Sequence, residues 1–456
     1  MPEMTERKEL VIVGAGLAGP LLSIYMARRG HKVAVYELRA DMRKQDIPAG
    51  RSINLALAER GINALREAGA LSLIEDQLIT MRGRMIHNHD GSQVLQPYGQ
   101  KAGEVIYSVS RGELNKRLMD LAEQEHGVEF HFDHRLHALQ PESCEMEFKR
   151  SPDDSIVRLT ADRIMATDGG GSIVRRTMSD YSGYDSHEEI LLHAYKELCI
   201  PADENGKHRI DGNSLHIWPR GGFMLIALPN PGGDFTVTLF LPSEGPVSFV
   251  ELDGREEVSA FFQTHFPDAV ALLPDLEKDF FANPAGELGT IRSYPYHYKD
   301  KILLLGDAAH AVVPFHGQGM NCAFEDCLEL DRILDQCGDD WGDAFAAFSK
   351  QRKPNCDAIA DMALENYLEM RDSVTDPIFL LQKKLSFKLE NEYADRFIPR
   401  YSMVMFHHEI PYAEAKRRGE IQASILRELT AGKISLDEVD FEHAGKLISE
   451  KLERME

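Results

Sequence analysis

Short apolar runs that stop at glycine mark the chain at two distant places. The first is Leu10-Val11-Ile12-Val13, which ends at Gly14. A continuous run of this length reads as a strand buried on both faces. Helical spacing follows from about Leu17 to Arg29, Gly30 ends it, and Lys32–Glu37 reads as a second strand. The second run is Ile302–Leu305, after which Met320, Ala323, Phe324, Cys327 and Leu328 fall on one face of a long helix. Between the two, the pattern is different. Glu104–Ser110, Leu215–Trp218, Phe223–Leu228 and Phe235–Leu241 are β-branched or aromatic runs bounded by Gly, Pro and Asn, and they predict an antiparallel sheet. Asn230-Pro231-Gly232-Gly233 is a strong turn signal. From about Leu364 the chain is charged and mostly helical, broken at Pro377, Pro399 and Pro411. There are no repeats and no low-complexity segment.

Composition narrows the function classes. In 456 residues, 51 basic side chains face 74 acidic ones, a net charge of -23. Such a field repels nucleic acid and anionic lipid. Any anionic ligand must therefore be held by local arginines or helix ends. The six cysteines include no C-x-x-C pair, which predicts buried, inert thiols in a reducing compartment and hence a cytoplasmic protein. Leu10–Ala27 is the one stretch that could suggest a leader or anchor, but Gly14, Gly16, Gly19 and Pro20 interrupt it. His87-Asn88-His89 and His407-His408-Glu409 lack zinc-site spacing and read as solvated surface groups.

The strand-to-helix junction carries Gly14-Ala15-Gly16-Leu17-Ala18-Gly19. Gly14 allows the tight turn, Gly16 the approach of a pyrophosphate, and Gly19 the packing of helix on sheet. The helix start then offers amides and partial positive charge to the phosphates. Glu37, at the end of the next strand, suits a ribose diol. This motif does not separate NAD from FAD. Two later segments do. They are Thr167-Asp168-Gly169-Gly170-Gly171-Ser172, with Arg175 after it, and Gly306-Asp307-Ala308-Ala309-His310, running to Pro314. In this order they resemble the D-G and G-D motifs of the FAD-dependent aromatic hydroxylases, although Ala166-Thr167 departs from the usual lead-in. The resemblance implies that Asp307 meets the ribitol and that Asp168 lies near the pyrophosphate. No second glycine fingerprint is present, which fits a family that takes NADPH only transiently. Gly317, Gly319, Met320 and Asn321 open the long helix and can present amides to the flavin pyrimidine.

The fold class is α/β: a Rossmann-like FAD-binding domain, an inserted antiparallel β-sheet substrate domain and a C-terminal helical region. The expected boundaries are 1–75, 100–182 and 290–375 for the first, 76–99 and 183–289 for the second, and 376–456 for the third.

Further segments are more specific: Arg51–Ala58, Met81–Met85, Gln96–Gly99, Tyr195–Leu198, Leu215–Pro219, Phe235–Phe240, Glu365–Tyr367 and Arg400–Met403. Together they resemble the kynurenine 3-monooxygenase family along nearly the whole chain. The resemblance implies that Arg84, Tyr98, Asn366 and Tyr401 hold the amino-acid head of L-kynurenine. Ile106, Leu215, Ile226, Leu228, Phe240, Pro314, Phe315 and His316 would surround its ring. Arg39, Ala56 and Arg111 would lie near FAD, beside Leu17 and the glycines. It implies NADPH and O2 as co-substrates and hydroxylation by an FAD C4a-hydroperoxide, so no acid, base or metal is assigned. The chain ends in Lys451-Leu452-Glu453-Arg454-Met455-Glu456, without the apolar tail of anchored family members. The expectation is a protein with no membrane anchor. The sequence does not set the oligomeric state, a homodimer being one option. Rival readings are another FAD hydroxylase acting on a phenol or quinone precursor, and a non-catalytic protein of the same fold.

Overall fold

The computed structural model describes residues 6–44, 54–338, 340–373 and 376–455. Arg51, Ser52 and Ile53 of the family-like segment lie outside them. By the density of backbone contacts the chain divides into two compact units. The first is Met1–Leu78, Val109–Ile190 and Gly289–Ala360, and the second is Ile79–Ser108, Leu191–Leu288 and Asp361–Glu456. Residues 376–456, drawn above as a third domain, fall within the second unit.

The first unit is built on an eight-stranded sheet. Ile302–Leu304, Ser155–Ala166, Glu6–Val13, Val33–Tyr36 and Glu129–His131 lie side by side and parallel. Leu10, Val11, Ile12 and Val13 are all buried, as a strand covered on both faces requires. The helix Ala18–Arg28 packs on Arg111–His126 and Gly319–Cys337, and Glu59–Glu67 packs on the same long helix. Register brings the two glycine-ended runs together. Val13 pairs with Ala166, and Ala166 with Leu304, so the ends of three strands meet at one edge.

The second unit holds most of a seven-stranded sheet, in the order Gly286–Tyr294, Asp185–Ile200, Phe235–Pro242, Met224–Pro229, Leu215–Pro219, Gly83–His87, Gln93–Pro97. From Asp185–Ile200 to Gln93–Pro97 it is antiparallel except where Gly83–His87 runs parallel to Leu215–Pro219. The pleat sorts its residues. Trp218, Leu225, Ala227, Val237 and Leu239 point to one face and form a core with Phe262, Phe266 and Leu276 of the helices over it. Leu215, Ile226, Leu228 and Phe240 alternate with them and take the other face. The C-terminal helices Pro377–Glu392, Tyr412–Thr430 and Phe441–Lys451 share a separate core of Leu385, Leu389, Ile425, Leu429 and Ile448.

Two expectations need correction. Glu104–Ser110 is a strand only over Ile106–Ser110, and it pairs with Ile79–Met81 in a small sheet of its own. The alternation that marks a strand does not say which sheet it joins. His87 is not solvated: it is 2% exposed, because the pleat turns it into the helix-covered face. Four of the six cysteines are buried and all six are free. Among the described residues, no helix is long and apolar enough to cross a membrane.

Candidate active site

In the first unit, the glycine loop is shaped by close approach. Gly14 has φ +100°, and a Cβ there would lie 2.5 Å from the Thr167 carbonyl oxygen. A Cβ on Gly19 would lie 2.1 Å from the Gly14 carbonyl oxygen, so helix and loop could not meet. The Thr167 hydroxyl donates to the Gly14 carbonyl at 2.8 Å, which gives the departure from the usual D-G lead-in a structural task. Leu17 is buried under the start of the helix. Glu37 accepts from the Ala15 amide at 2.8 Å and from the Arg39 amide at 3.0 Å, so this carboxylate braces the loop, and Arg39 is exposed beside it.

Asp168 accepts from the Ile173 amide at 2.9 Å through Oδ2, while its Oδ1 is buried with no partner among the described residues. Burial pushes its carboxyl up. Arg175 donates to the Gly170 carbonyl at 2.6 Å and the Ala308 carbonyl at 3.1 Å, tying the D-G segment to the G-D segment. Asp307 is exposed at its surface yet deep enough that burial raises its carboxyl, with His310 and Arg111 opposing the shift. A carboxylate with both properties lines a recess.

At the long helix, the Asn321 side chain is already committed. It accepts from the Ala58 amide at 2.9 Å and donates to the carbonyls of Ala56 and Gly317 at 2.8 Å. Asn321 thus fixes the loop rather than offering its amide group outward. The backbone amides of Gly319, Met320 and Asn321 precede the first internal bond of the helix and remain for a ligand. Pro314, Phe315 and His316 form the turn before it, with the latter two buried.

These features fit FAD. Nothing lies within 4 Å of where a Gly16 side chain would stand, so the helix start faces open space. The unpaired Asp168 oxygen, the recessed Asp307 and the free helix amides supply polar contacts along one edge.

A buried charge network, unsignalled by any motif, braces this edge. Asp326 accepts from the Gly306 amide at 2.9 Å, from His310 at 2.6 Å and from Arg352 at 2.7 Å. Glu325 accepts from Arg60 and Arg352, each at 2.6 Å. Burial works against both carboxylates, but their cationic partners outweigh it and hold both below the usual range.

The second unit gathers Arg84, Tyr98, Asn366 and Tyr401. Arg84 is 5% exposed and pairs in register with Leu215, so it shares a sheet face with Leu215, Ile226, Leu228 and Phe240. Its guanidinium donates to Asn366 Oδ1 at 3.2 Å and to Glu369 Oε1 at 3.0 Å. It also lies 5.1 Å from the Tyr401 ring centroid. Tyr98 stacks on Tyr401 at 5.5 Å. The π-helical turn Glu369–Ser373 follows the helix bearing Asn366 and places Glu369 within reach.

Arg84 Nε and the Tyr98 hydroxyl are buried without a hydrogen-bond partner among the described residues. Two idle polar groups side by side point to a missing polar ligand. Burial opposes the Arg84 charge, but Tyr401, Glu369 and Tyr98 hold it charged. Burial pushes Tyr98 up to about 12 and Tyr401 well up, so both remain phenols. Lys383, pushed down to about 8 by burial and by Arg84, adds a second cation. Glu369 and Lys383 were absent from the sequence reading, since neither stands in a motif. Ile106 is buried in the small sheet of the same unit.

The comparisons bear on both halves. The family described as "FAD binding domain" matches residues 7–207 and 287–363. A kynurenine 3-monooxygenase of Stenotrophomonas maltophilia is 48% identical over 434 residues, covering 95% of each chain. One of Xanthomonas oryzae is 47% identical and covers 98% of each. The tetrameric form of 2-methyl-3-hydroxypyridine-5-carboxylic acid oxygenase shares the fold, with TM-score 0.65 at 20% identity over 83% of this chain and 96% of that one. At such identity over nearly its full length, the chain belongs to the kynurenine 3-monooxygenase family of FAD-dependent monooxygenases.

Proposed function

We propose that this chain hydroxylates L-kynurenine to 3-hydroxykynurenine, with FAD resident and NADPH and O2 as co-substrates. The observation that carries the substrate is the cluster of buried Arg84, Tyr98 and Asn366 with half-buried Tyr401, in which Arg84 Nε and the Tyr98 hydroxyl are idle. An α-carboxylate matches Arg84 Nε and the Tyr98 hydroxyl, which would donate one charge-assisted and one neutral hydrogen bond to it. Glu369 accepts from the α-ammonium. Leu215, Ile226, Leu228 and Phe240 give the aryl ring an apolar, water-poor surface, and Ile106 adds to it.

Gly14, Gly16, Leu17, Gly19, Glu37, Arg39, Ala56, Arg111, Asp168, Asp307 and Gly317–Asn321 would hold FAD, which when bound supplies electron transfer and oxygen activation. The aniline amine of kynurenine activates the ring carbon beside it, so the chain needs no nucleophile of its own. Its work is to orient the ring and exclude water. The six free cysteines support a cytoplasmic location.

Incubation with kynurenine, NADPH and air, followed by product identification, tests the reading. The expected product is 3-hydroxykynurenine. NADPH oxidation stimulated instead by phenolic acids would favour the rival hydroxylase, which has no use for an ammonium acceptor at Glu369. Arg84→Ala should raise the kynurenine KM at least tenfold with normal FAD content, since a charged hydrogen-bond partner is worth about 2–4 kcal/mol. An unchanged KM would remove the carboxylate assignment.

A further inference from the structure

The helix-covered face of the seven-stranded sheet carries a chain of side chains outside the amino-acid cluster. Asp268 Oδ2 accepts from Trp218 Nε1 at 2.7 Å and faces His87 Nδ1 at 3.1 Å. His87 Nε2 faces His216 Nδ1 at 2.9 Å, and His216 Nε2 faces the Asp211 carbonyl at 2.8 Å. His87 and His216 are 2% and 1% exposed, and His87 stacks on Trp218 at 3.9 Å.

Counting donors fixes the protons. A carboxylate and a carbonyl only accept. His87 Nδ1 must therefore carry a hydrogen, and so must His216 Nε2. In two neutral rings, that leaves two lone pairs facing each other at 2.9 Å, a hydrogen-bond distance with no hydrogen in it. The geometry closes only with one more proton.

We propose that Asp268, His87 and His216 together hold one proton beyond an ionised carboxylate and two neutral imidazoles, and that this buried chain positions Arg84. The positioning half rests on the substrate reading above. Where the proton resides follows from the surroundings. The Trp218 N–H bonds Asp268, and Arg220 lies 4.0 Å from its other oxygen, so the carboxylate stays ionised. Burial raises Asp268, but His87 and Trp218 outweigh it and hold the group low. Burial lowers His216 to about 4, so His216 is the acceptor of the pair. The other nearby charges have partners elsewhere. Arg220 donates to the His87 and Pro219 carbonyls at 3.0 and 2.8 Å, the Asp211 carboxylate accepts from Ser214 at 2.5 Å, and His208 faces the Asn230 carbonyl at 2.9 Å. Burial lowers His265, and His89 and Arg220 act on it in the same direction.

Arg84 and His87 share the strand Gly83–His87 and point to opposite faces. His216 adjoins Leu215, the register partner of Arg84. The proton therefore staples the parallel pair Gly83–His87 and Leu215–Pro219, from behind the residue that meets the carboxylate. When it leaves, the two lone pairs repel and the staple opens.

The test is the ring protonation of the FAD-loaded protein carrying 15N-histidine, assigned with His87→Asn and His216→Leu. At pH 7.5 one buried ring should be doubly protonated in the parent, and that signal should vanish in His216→Leu. Two singly protonated rings beside an ionised Asp268 carboxylate would overturn the proposal, whatever the substrate proves to be. His216→Leu should raise the kynurenine KM about tenfold with kcat little changed, and abolish any rise of KM as the shared proton titrates. His216→Asn, which keeps an acceptor towards His87, should restore the KM to within about threefold. If the double protonation stands but kynurenine is not a substrate, the proton count survives and only its link to Arg84 falls. A KM in His216→Leu within twofold of the parent would refute the positioning role. If that variant does not retain FAD, the parent spectrum alone decides.

Discussion

At the scale of single residues, the cluster around Arg84 is a balance of charges in a nearly dry place. Lys383 is its most titratable member. Burial and Arg84 push it down to about 8, while Glu369 pulls it back. Below that pH it is an ammonium and helps to hold an anion; above it, that help is lost. The kynurenine KM should therefore rise as pH passes through about 8, by up to tenfold if the charge is worth about 1.4 kcal/mol. In Lys383→Met that limb should be missing, which a comparison of the two pH profiles of KM would read. Identical profiles would show that Lys383 does not sense the bound anion. That Arg84, Tyr98, Asn366 and Tyr401 come together was legible because they stand in distinctive short segments. Glu369 and Lys383 were not, since a lone acid or base on a helix reads as a solvated face until the fold turns it inward.

At the scale of elements, the FAD edge depends on how the helix Gly319–Cys337 is held against the turn at Gly306. Asp326 makes that link with three partners, all buried. Asp326→Asn leaves His310 without its counter-charge and Arg352 with Glu325 alone, and should cost about 3–5 kcal/mol. Denaturant unfolding and FAD retention would both register it, and a loss below about 1 kcal/mol would contradict the network's role. The sign with pH follows from the depressed carboxylates Asp326 and Glu325. Their stabilisation is full above the unfolded values near 4 and falls as pH drops through the lower folded ones. Acid unfolding should accordingly be shallower in the Asp326→Asn protein. The strand–glycine–helix junctions at Gly14 and Gly306 were readable because each is local. The sheet joined by Ile106–Ser110 was not, because alternation fixes a face and never a neighbour.

At the scale of the molecule, the charge of -23 sets a field that anionic NADPH must cross. Screening should ease its approach. Raising ionic strength from about 10 mM to about 100 mM shortens the Debye length from about 30 Å to about 10 Å, and the NADPH KM should fall about twofold to fivefold with kcat constant. A KM that rises with salt would mean that local arginines, not the global field, govern the encounter.

The sequence by itself determined the cofactor chemistry. A glycine turn, a strand end and a helix start lie within a few residues of one another, so backbone geometry dictates their residue types directly. Only the tertiary structure decided which charges meet. Arg84 reaches Asn366 and Glu369 across 282 and 285 residues, and His87 reaches His216 across 129. Such pairings depend on sheet register and on which face a strand turns to its neighbour. Both are settled by the burial of the whole core and leave no mark in any one segment of the chain.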